Sequence, residues 1–233
     1  MERRVALVFG RTNMNFKDTV LFDFDGTIMD TNDVIIKSWD YTFDILGREK
    51  KDHKELKKTF GEPLEFTLAK FFPDIPVEES IEIYRGYQRD NFIILIDLFP
   101  GIRELLDELK AAGMKMALVT SRLKKTTIDG VEKFDLAKYF DVIITADDTT
   151  KHKPDPEPIL ITLEKMGSKP ENAIMVGDTL FDIGCARNAK VESVLVSWSM
   201  ALEGMTKESL GDNAPDWIID SPEQLLEIVK VKK

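Results

Sequence analysis

Short apolar runs alternate with helix-type patterns along most of the chain, and this alternation most restricts its possible folds. Between the runs, apolar residues recur at helical spacing, as at Ile102, Leu105 and Leu109. Strands that alternate with helices indicate βαβ crossovers and a mainly parallel sheet, and therefore an α/β protein. The predicted strands are residues 19–22, 115–119, 142–144, 173–176, 193–196 and 217–219.

Residues 32–98 break this alternation, because they show helix patterns and no predicted strand. Helices that merely cover the sheet are one explanation, but four helices exceed what one crossover needs. We therefore interpret this stretch as a helical insertion after the first strand, with the chain returning at Pro100-Gly101. The four predicted helices are residues 33–46, 52–60, 64–72 and 77–96.

Charge and cysteine content restrict the partners and the compartment. Lys and Arg number 32 against 42 Asp and Glu, so the net charge of −10 argues against a nucleic-acid partner. The one cysteine, Cys185, cannot form an internal disulfide, which predicts a cytoplasmic protein. Apolar runs such as residues 92–96 are far shorter than the roughly 20 residues of a membrane helix, so no membrane partner is predicted.

Polar residues follow the predicted strands, and the carboxyl ends of parallel strands form the usual ligand site of an open sheet. Acids, hydroxyls and a lysine therefore gather at one edge. The segments are Asp23-Phe24-Asp25-Gly26-Thr27, Thr120-Ser121-Arg122, Lys153-Pro154-Asp155-Pro156, and Gly177-Asp178-Thr179 followed by Asp182.

Three of these acids, Asp23, Asp25 and Asp178, predict a metal site. One such Asp alone would more often cap a turn or a helix. Three that converge from two strands repel one another and require a cation. A hard ion such as Mg²⁺ prefers oxygen ligands and keeps waters that phosphate oxygens can replace.

The strand-end segments also contain residues suited to phosphoryl transfer. Asp23 is the predicted nucleophile, and Asp25 is predicted to protonate the leaving oxygen and then deprotonate water. A glycine lets backbone approach a phosphate, hydroxyls donate hydrogen bonds to it, and a lysine offsets its charge. The predicted phosphate-binding residues are accordingly Gly26, Thr120, Ser121 and Lys153.

Together and in this order, the four segments resemble the four motifs of the haloacid dehalogenase superfamily, over about residues 18–222. The resemblance implies a three-layer Rossmann-like core formed by residues 18–31 and 99–233. It also implies an inserted all-helical cap domain of the C1 type at residues 32–98. Residues 1–17 are left as an N-terminal extension without a predicted structure.

The resemblance also implies roles for individual residues. Asp182 matches the last acid of the fourth motif and bears on the waters of the metal, whereas Arg122 receives no role. The implied nucleophile and metal ligand is Asp23, the acid/base with a backbone carbonyl on the metal is Asp25, the phosphate-binding hydroxyl is Thr120, the motif lysine is Lys153, and the remaining metal ligand is Asp178.

These residues predict a Mg²⁺-dependent phosphatase that hydrolyses a small phosphorylated metabolite through an aspartyl-phosphate. The chain is similar to phosphoglycolate phosphatases and to HPr-serine-phosphate pyrophosphatases. A pyrophosphatase or a β-phosphoglucomutase-like isomerase therefore stays open, as does a non-enzymatic receiver-like module. The cap segment 61–64 either faces the substrate or is an ordinary turn. No oligomeric state is predicted.

Overall fold

The computed structural model of the 233-residue chain describes residues 17–60, 62–199 and 214–229. The predicted N-terminal extension lies outside the described residues, apart from Lys17. Gly61, the first residue of the predicted cap segment, also lies outside them.

The central element is a six-stranded sheet in which every described pairing is parallel. Four strands have the predicted bounds, and two are one residue longer. This confirms the predicted α/β class with a mainly parallel sheet. Two further strands, β2 and β3, form a separate antiparallel pair. The strands are β1 Thr19–Phe22, β2 Met29–Asp30, β3 Asp97–Leu98, β4 Lys115–Val119, β5 Val142–Ile144, β6 Ala173–Gly177, β7 Glu192–Val196 and β8 Trp217–Ile219.

The helices cover both faces of the sheet. Val20 and Phe22 of β1 belong to one buried apolar cluster, whereas Leu21 between them belongs to another. Because successive strand residues point to opposite faces, the core has three layers, as predicted. The helices are α1 Asn32–Ile45, α2 His53–Lys57, α3 Leu64–Phe71, α4 Val77–Leu95, α5 Ile102–Ala111, α6 Lys124–Lys133, α7 Glu157–Met166, α8 Leu180–Asn188 and α9 Gln224–Ile228.

The predicted insertion consists of α1 to α4, and these helices share an apolar cluster of their own. Trp39, Phe43, Leu68, Phe72 and Tyr84 are buried in it. The rings of Trp39 and Tyr84 lie 4.8 Å apart, which joins α1 to α4. The domain boundaries at residues 31 and 99 remain a prediction.

One strand within this stretch was not predicted. Asp97–Leu98 pairs with Met29–Asp30 across the two connections between the sheet and the four helices. The expectation that residues 32–98 contain no strand is therefore wrong at its last two residues. A two-residue strand is too short to show the alternation that identifies strands.

The strand order places the ends of β1, β4 and β6 side by side. The strand order of the sheet is β5-β4-β1-β6-β7-β8, so β1 has β4 on one side and β6 on the other. Such a switch point opens a crevice at the carboxyl ends of the strands.

Among the residues that the structure describes, no helix combines the length and apolar character needed to cross a membrane.

Candidate active site

A buried lysine connects two of the predicted site acids. Nζ of Lys153 lies 2.6 Å from Oδ1 of Asp23 and 2.6 Å from Oδ1 of Asp182. Asp23 follows β1 directly, and Asp182 lies in the first turn of α8. All three side chains are buried, although Lys153 lies 130 positions and Asp182 lies 159 positions after Asp23 in the sequence.

Asp178, directly after β6, has one carboxylate oxygen without a partner in the described part of the chain. Its Oδ2 accepts a hydrogen bond of 2.6 Å from Oγ of Ser199, but its buried Oδ1 has no hydrogen-bond partner among the described residues. Asp23, Asp178 and Asp182 each offer a carboxylate oxygen within 4.8 Å of the others. A buried carboxylate oxygen without a donor is costly, and a bound cation would satisfy it.

Asp182 is less suited to ligate a cation directly, because both its oxygens are engaged. Oδ1 accepts from Lys153, and Oδ2 accepts from the backbone N and Oγ1 of Thr179 at 3.1 and 2.7 Å. The bond from the backbone N of Thr179 belongs to a capping box at the start of α8. The role that the family resemblance implies for Asp182, an effect on the waters of the metal, stays a prediction.

The acids exceed the positive charge that faces them. Burial raises the pKa of Asp23 to about 7, although Lys153 opposes the rise and Asp182 and Asp25 add to it. Burial, followed by the charges of Asp182 and Asp23, holds the pKa of Asp178 well above its usual range. A divalent cation would remove this repulsion, so the donor set fits Mg²⁺.

A pH dependence of stability follows for the metal-free protein. Folded Asp23 keeps a proton from its ordinary pKa near 3.8 up to about 7, whereas the unfolded chain has lost it. Stability from this group therefore falls as pH rises through that window. We expect a higher melting temperature near pH 5.5 than near pH 8 in chelator, measured by differential scanning calorimetry. Asp23→Asn should reduce the difference but not abolish it, because the raised pKa of Asp178 acts in the same direction. An unchanged slope in that variant would contradict the assignment.

Asp25 lies beside Arg122, which the sequence left without a role. Nε of Arg122 is 3.0 and 2.8 Å from the two carboxylate oxygens of Asp25. Arg122 comes two residues after Thr120 in a strand-end segment, and this position was the only signal for it.

Ser199 was also missed, because it follows β7 outside the four motifs, where a strand-end hydroxyl is the only signal.

Gly26 allows the loop after β1 to lie directly against the side chains of Asp178 and Ser199. Its φ is +73°, and a Cβ atom there would lie 2.0 Å from Oδ2 of Asp178 and 2.8 Å from Oγ of Ser199. Because both neighbours are short buried side chains, neither can move away cheaply.

We expect Gly26→Ala to reduce activity severely, since the methyl group displaces Asp178. Gly47→Ala is a matched control, because Gly47 also has a positive φ of +62° but nothing within 4 Å of its Cβ position. Its cost should be the left-handed conformation alone, about 1–2 kcal/mol. Urea unfolding and phosphate release would measure both variants, and equal effects would contradict the steric argument.

The other predicted phosphate-binding residues differ in position. Thr120 is buried, and its Oγ1 accepts a hydrogen bond of 3.1 Å from the backbone N of Arg122. Ser121 is exposed, and no hydrogen bond between described residues joins its side chain to the acids.

In the cap segment, Oε2 of Glu62 accepts a hydrogen bond of 2.9 Å from Oγ1 of Thr67. Whether this segment meets a substrate stays a prediction.

A parallel α/β sheet with acids and a lysine at its switch point is typical of hydrolases that act on phosphoryl groups. The profile of haloacid dehalogenase-like hydrolases matches residues 20–196. The chain belongs to that family, as the sequence predicted.

The chain is also similar to individual proteins that are named as pyrophosphatases or as a phosphoglycolate phosphatase. The chain is 42% identical over 211 residues to a protein from Caldanaerobacter subterraneus subsp. tengcongensis, provisionally named pyrophosphatase PpaX, covering 91% of this chain and 94% of that one. It is 34% identical to pyrophosphatase PpaX from Halalkalibacterium halodurans, covering 92% and 98%. A solved structure from Lactobacillus plantarum, provisionally named a phosphoglycolate phosphatase, matches with a TM-score of 0.78 and 26% identity, covering 92% and 100%.

Proposed function

We propose that this protein hydrolyses inorganic pyrophosphate in a Mg²⁺-dependent reaction through an aspartyl-phosphate on Asp23. The observation that carries the chemistry is the buried Asp23 carboxylate, paired with Lys153 beside the partnerless oxygen of Asp178. The relatives named pyrophosphatase support the choice of substrate. Phosphoglycolate, or another small phosphate monoester, is the second candidate, supported by the name of the Lactobacillus plantarum structure.

In the first step, Asp23 attacks the phosphorus atom. Its Oδ1 is bonded to Lys153, which leaves Oδ2 as the attacking atom. The new O–P bond forms as the bond from phosphorus to the leaving oxygen breaks. Asp25 gives its proton to that oxygen, so the leaving phosphate departs without carrying the full charge.

In the second step, water replaces Asp23 on the phosphorus. Asp25, now a carboxylate, takes a proton from the attacking water, and the O–P bond to Asp23 breaks. Orthophosphate leaves and both carboxyl groups return to their starting states. Lys153 keeps a positive charge against Asp23 throughout, because the charges of Asp182 and Asp23 outweigh burial and raise its pKa.

The proposed metal ligands are the carboxylates of Asp23 and Asp178 and the backbone carbonyl of Asp25, with Asp182 in support. When bound, Mg²⁺ supplies positive charge to the phosphoryl oxygens, which charge-neutralising phosphoryl transfer requires. The orphaned Oδ1 of Asp178 is the structural feature that supports this proposal.

Gly26, Thr120 and Ser121 are the proposed phosphate contacts. The buried Thr120 hydroxyl accepts from Arg122, and its own proton is available to a phosphoryl oxygen. Ser121 would have to turn inward to donate. The proposed partner is a small phosphorylated metabolite, and the single buried cysteine, Cys185, supports a cytoplasmic location.

The metal requirement and the substrate are tested together. We expect purified protein in Mg²⁺ to release orthophosphate from pyrophosphate, to lose this activity in EDTA and to recover it when Mg²⁺ is added. Phosphoglycolate and sugar phosphates form the comparison panel. Turnover that persists in chelator would contradict the metal proposal.

The same panel separates the alternatives. Interconversion of sugar phosphates without phosphate release would identify an isomerase. Stable phosphorylation of Asp23 without turnover would identify a receiver-like module.

A further inference from the structure

Two cations form ion pairs with the proposed site acids Asp23, Asp25 and Asp182 among the described residues. Lys153 contacts Asp23 and Asp182, and Arg122 contacts Asp25. Lys153 is therefore committed to the nucleophile side of the site. Arg122 lies on the side of the proposed acid/base, and the mechanism above gives it no task.

Arg122 is held by both parts of the molecule. On the core side, Nε donates to both carboxylate oxygens of Asp25. On the side of the four inserted helices, its guanidinium carbon lies 4.4 Å from the centroid of the Phe92 ring on α4. The side chain is only 7% exposed, so the guanidinium group has a fixed position between a carboxylate and an aromatic face.

Three of the five N–H donors of Arg122 make no hydrogen bond to another described residue. Nη1 makes one long contact of 3.4 Å with Oγ1 of Thr126, and Nη2 has no hydrogen-bond partner among the described residues. Nη2 and the second hydrogen of Nη1 therefore remain available, and guanidinium donors in this planar arrangement match the geometry of a phosphate or carboxylate. These donors therefore point to an anion that binds next to Asp25.

The reaction geometry identifies that anion. In an in-line displacement the leaving group departs opposite Asp23, and Asp25 must be within hydrogen-bond reach of the leaving oxygen. A guanidinium group bonded to Asp25 consequently borders the leaving group and not the transferred phosphoryl group. Its charge favours a leaving group that is itself anionic.

We propose that Arg122 binds the leaving group, so that this enzyme prefers substrates with a second anionic group next to the scissile phosphoryl group. Pyrophosphate and phosphoglycolate meet this requirement, whereas phenyl phosphate does not. This inference rests on the proposed function, because it assumes that Asp23 attacks and Asp25 protonates.

The test compares kcat/KM for pyrophosphate and phenyl phosphate in Arg122→Gln and the parent protein, both saturated with Mg²⁺. We expect a fall of about 10- to 100-fold for pyrophosphate, the size of a lost charge-assisted contact. The fall for phenyl phosphate should be several-fold smaller, although the changed surroundings of Asp25 affect both substrates. Lys124→Gln is the matched control, because Lys124 is a largely exposed cation in the same segment, and it should alter neither value.

Binding adds a readout that a purely structural role of Arg122 would not move. The inhibition constant of imidodiphosphate should rise in Arg122→Gln, while that of orthophosphate stays close to the parent value. Added guanidinium ion should restore part of the pyrophosphate activity of Arg122→Ala.

The failures are distinguishable. Equal losses for pyrophosphate and phenyl phosphate, with unchanged imidodiphosphate inhibition, would overturn the leaving-group role but leave the proposed chemistry intact. Phosphate release that survives in Asp23→Asn would instead overturn the proposed function itself.

Discussion

Asp23→Asn is expected to reduce hydrolysis of pyrophosphate and of phenyl phosphate by at least about 10⁴-fold, the usual scale for a lost nucleophile. The amide has nearly the same shape as the carboxylate, but its oxygen is too weak a nucleophile to attack phosphorus. Lys153 keeps its contact with Asp182, so the fold should survive the change. Initial rates of phosphate release in Mg²⁺ would measure the effect.

Asp33→Asn is a suitable control for this experiment, because Asp33 is an exposed acid on α1 that pairs with Lys37. It should retain full activity. Melting temperatures would show that the Asp23 variant is folded. Activity within tenfold of the parent protein would contradict the assignment of Asp23 as nucleophile.

Lys153→Met is expected to lower both activity and stability, because it removes the cation between buried Asp23 and Asp182. These groups must then either stay charged without a cation or take up a proton, and both states are unfavourable compared with the ion pairs. Breaking a buried ion pair by removing one partner costs about 3–5 kcal/mol. For a protein of this size, that corresponds to a fall in melting temperature of roughly 6–20 °C. Calorimetry in chelator at neutral pH would measure the fall.

Lys151→Met is the matched control, since the side chain of Lys151 is largely exposed and lies 3.5 Å from Asp155. Such surface pairs contribute little, so its melting temperature should barely change. Adding Asp182→Asn to Lys153→Met should restore part of the stability and none of the activity. If Lys153→Met melts like the Lys151 variant, Lys153 does not neutralise the buried acids.

The six strands of the parallel sheet were predictable because each one contains a short apolar run that ends at polar residues. Buried parallel strands are apolar on both faces, so residues 115–119 are recognisable without any periodicity. Asp97–Leu98 has neither property, and its pairing depends on residues far away in the sequence. Leu98 lies opposite Met29, 69 positions earlier, and Asp97 lies opposite Asp30, 67 positions earlier.

Helix ends were predicted less well than helix positions. The second helix was expected at residues 52–60, but it spans His53–Lys57. The Asp52 side chain accepts a bond from the backbone N of Lys54, so Asp52 caps the helix without belonging to it. At the other end, Oγ1 of Thr59 donates to the carbonyl oxygen of Leu56, which closes the turn.

The candidate site was predictable where a residue type follows a strand end, as for Asp23 and Asp178. The role of Arg122 depends on the direction of its side chain and on Phe92 from a different part of the chain. Ser199 donates to Asp178 from a segment outside the four motifs. Such contacts are tertiary, and one sequence contains no local pattern that predicts them.

The most direct test of the account is to trap the covalent state of Asp23. Protein turning over pyrophosphate in Mg²⁺ is quenched and treated with borohydride, which reduces an acyl phosphate on aspartate to homoserine. Peptide mass spectrometry should then find homoserine at position 23, and none in Asp23→Asn or in EDTA. Rapid phosphate release with Asp23 unmodified, or with the modification at another aspartate, would contradict the central claim.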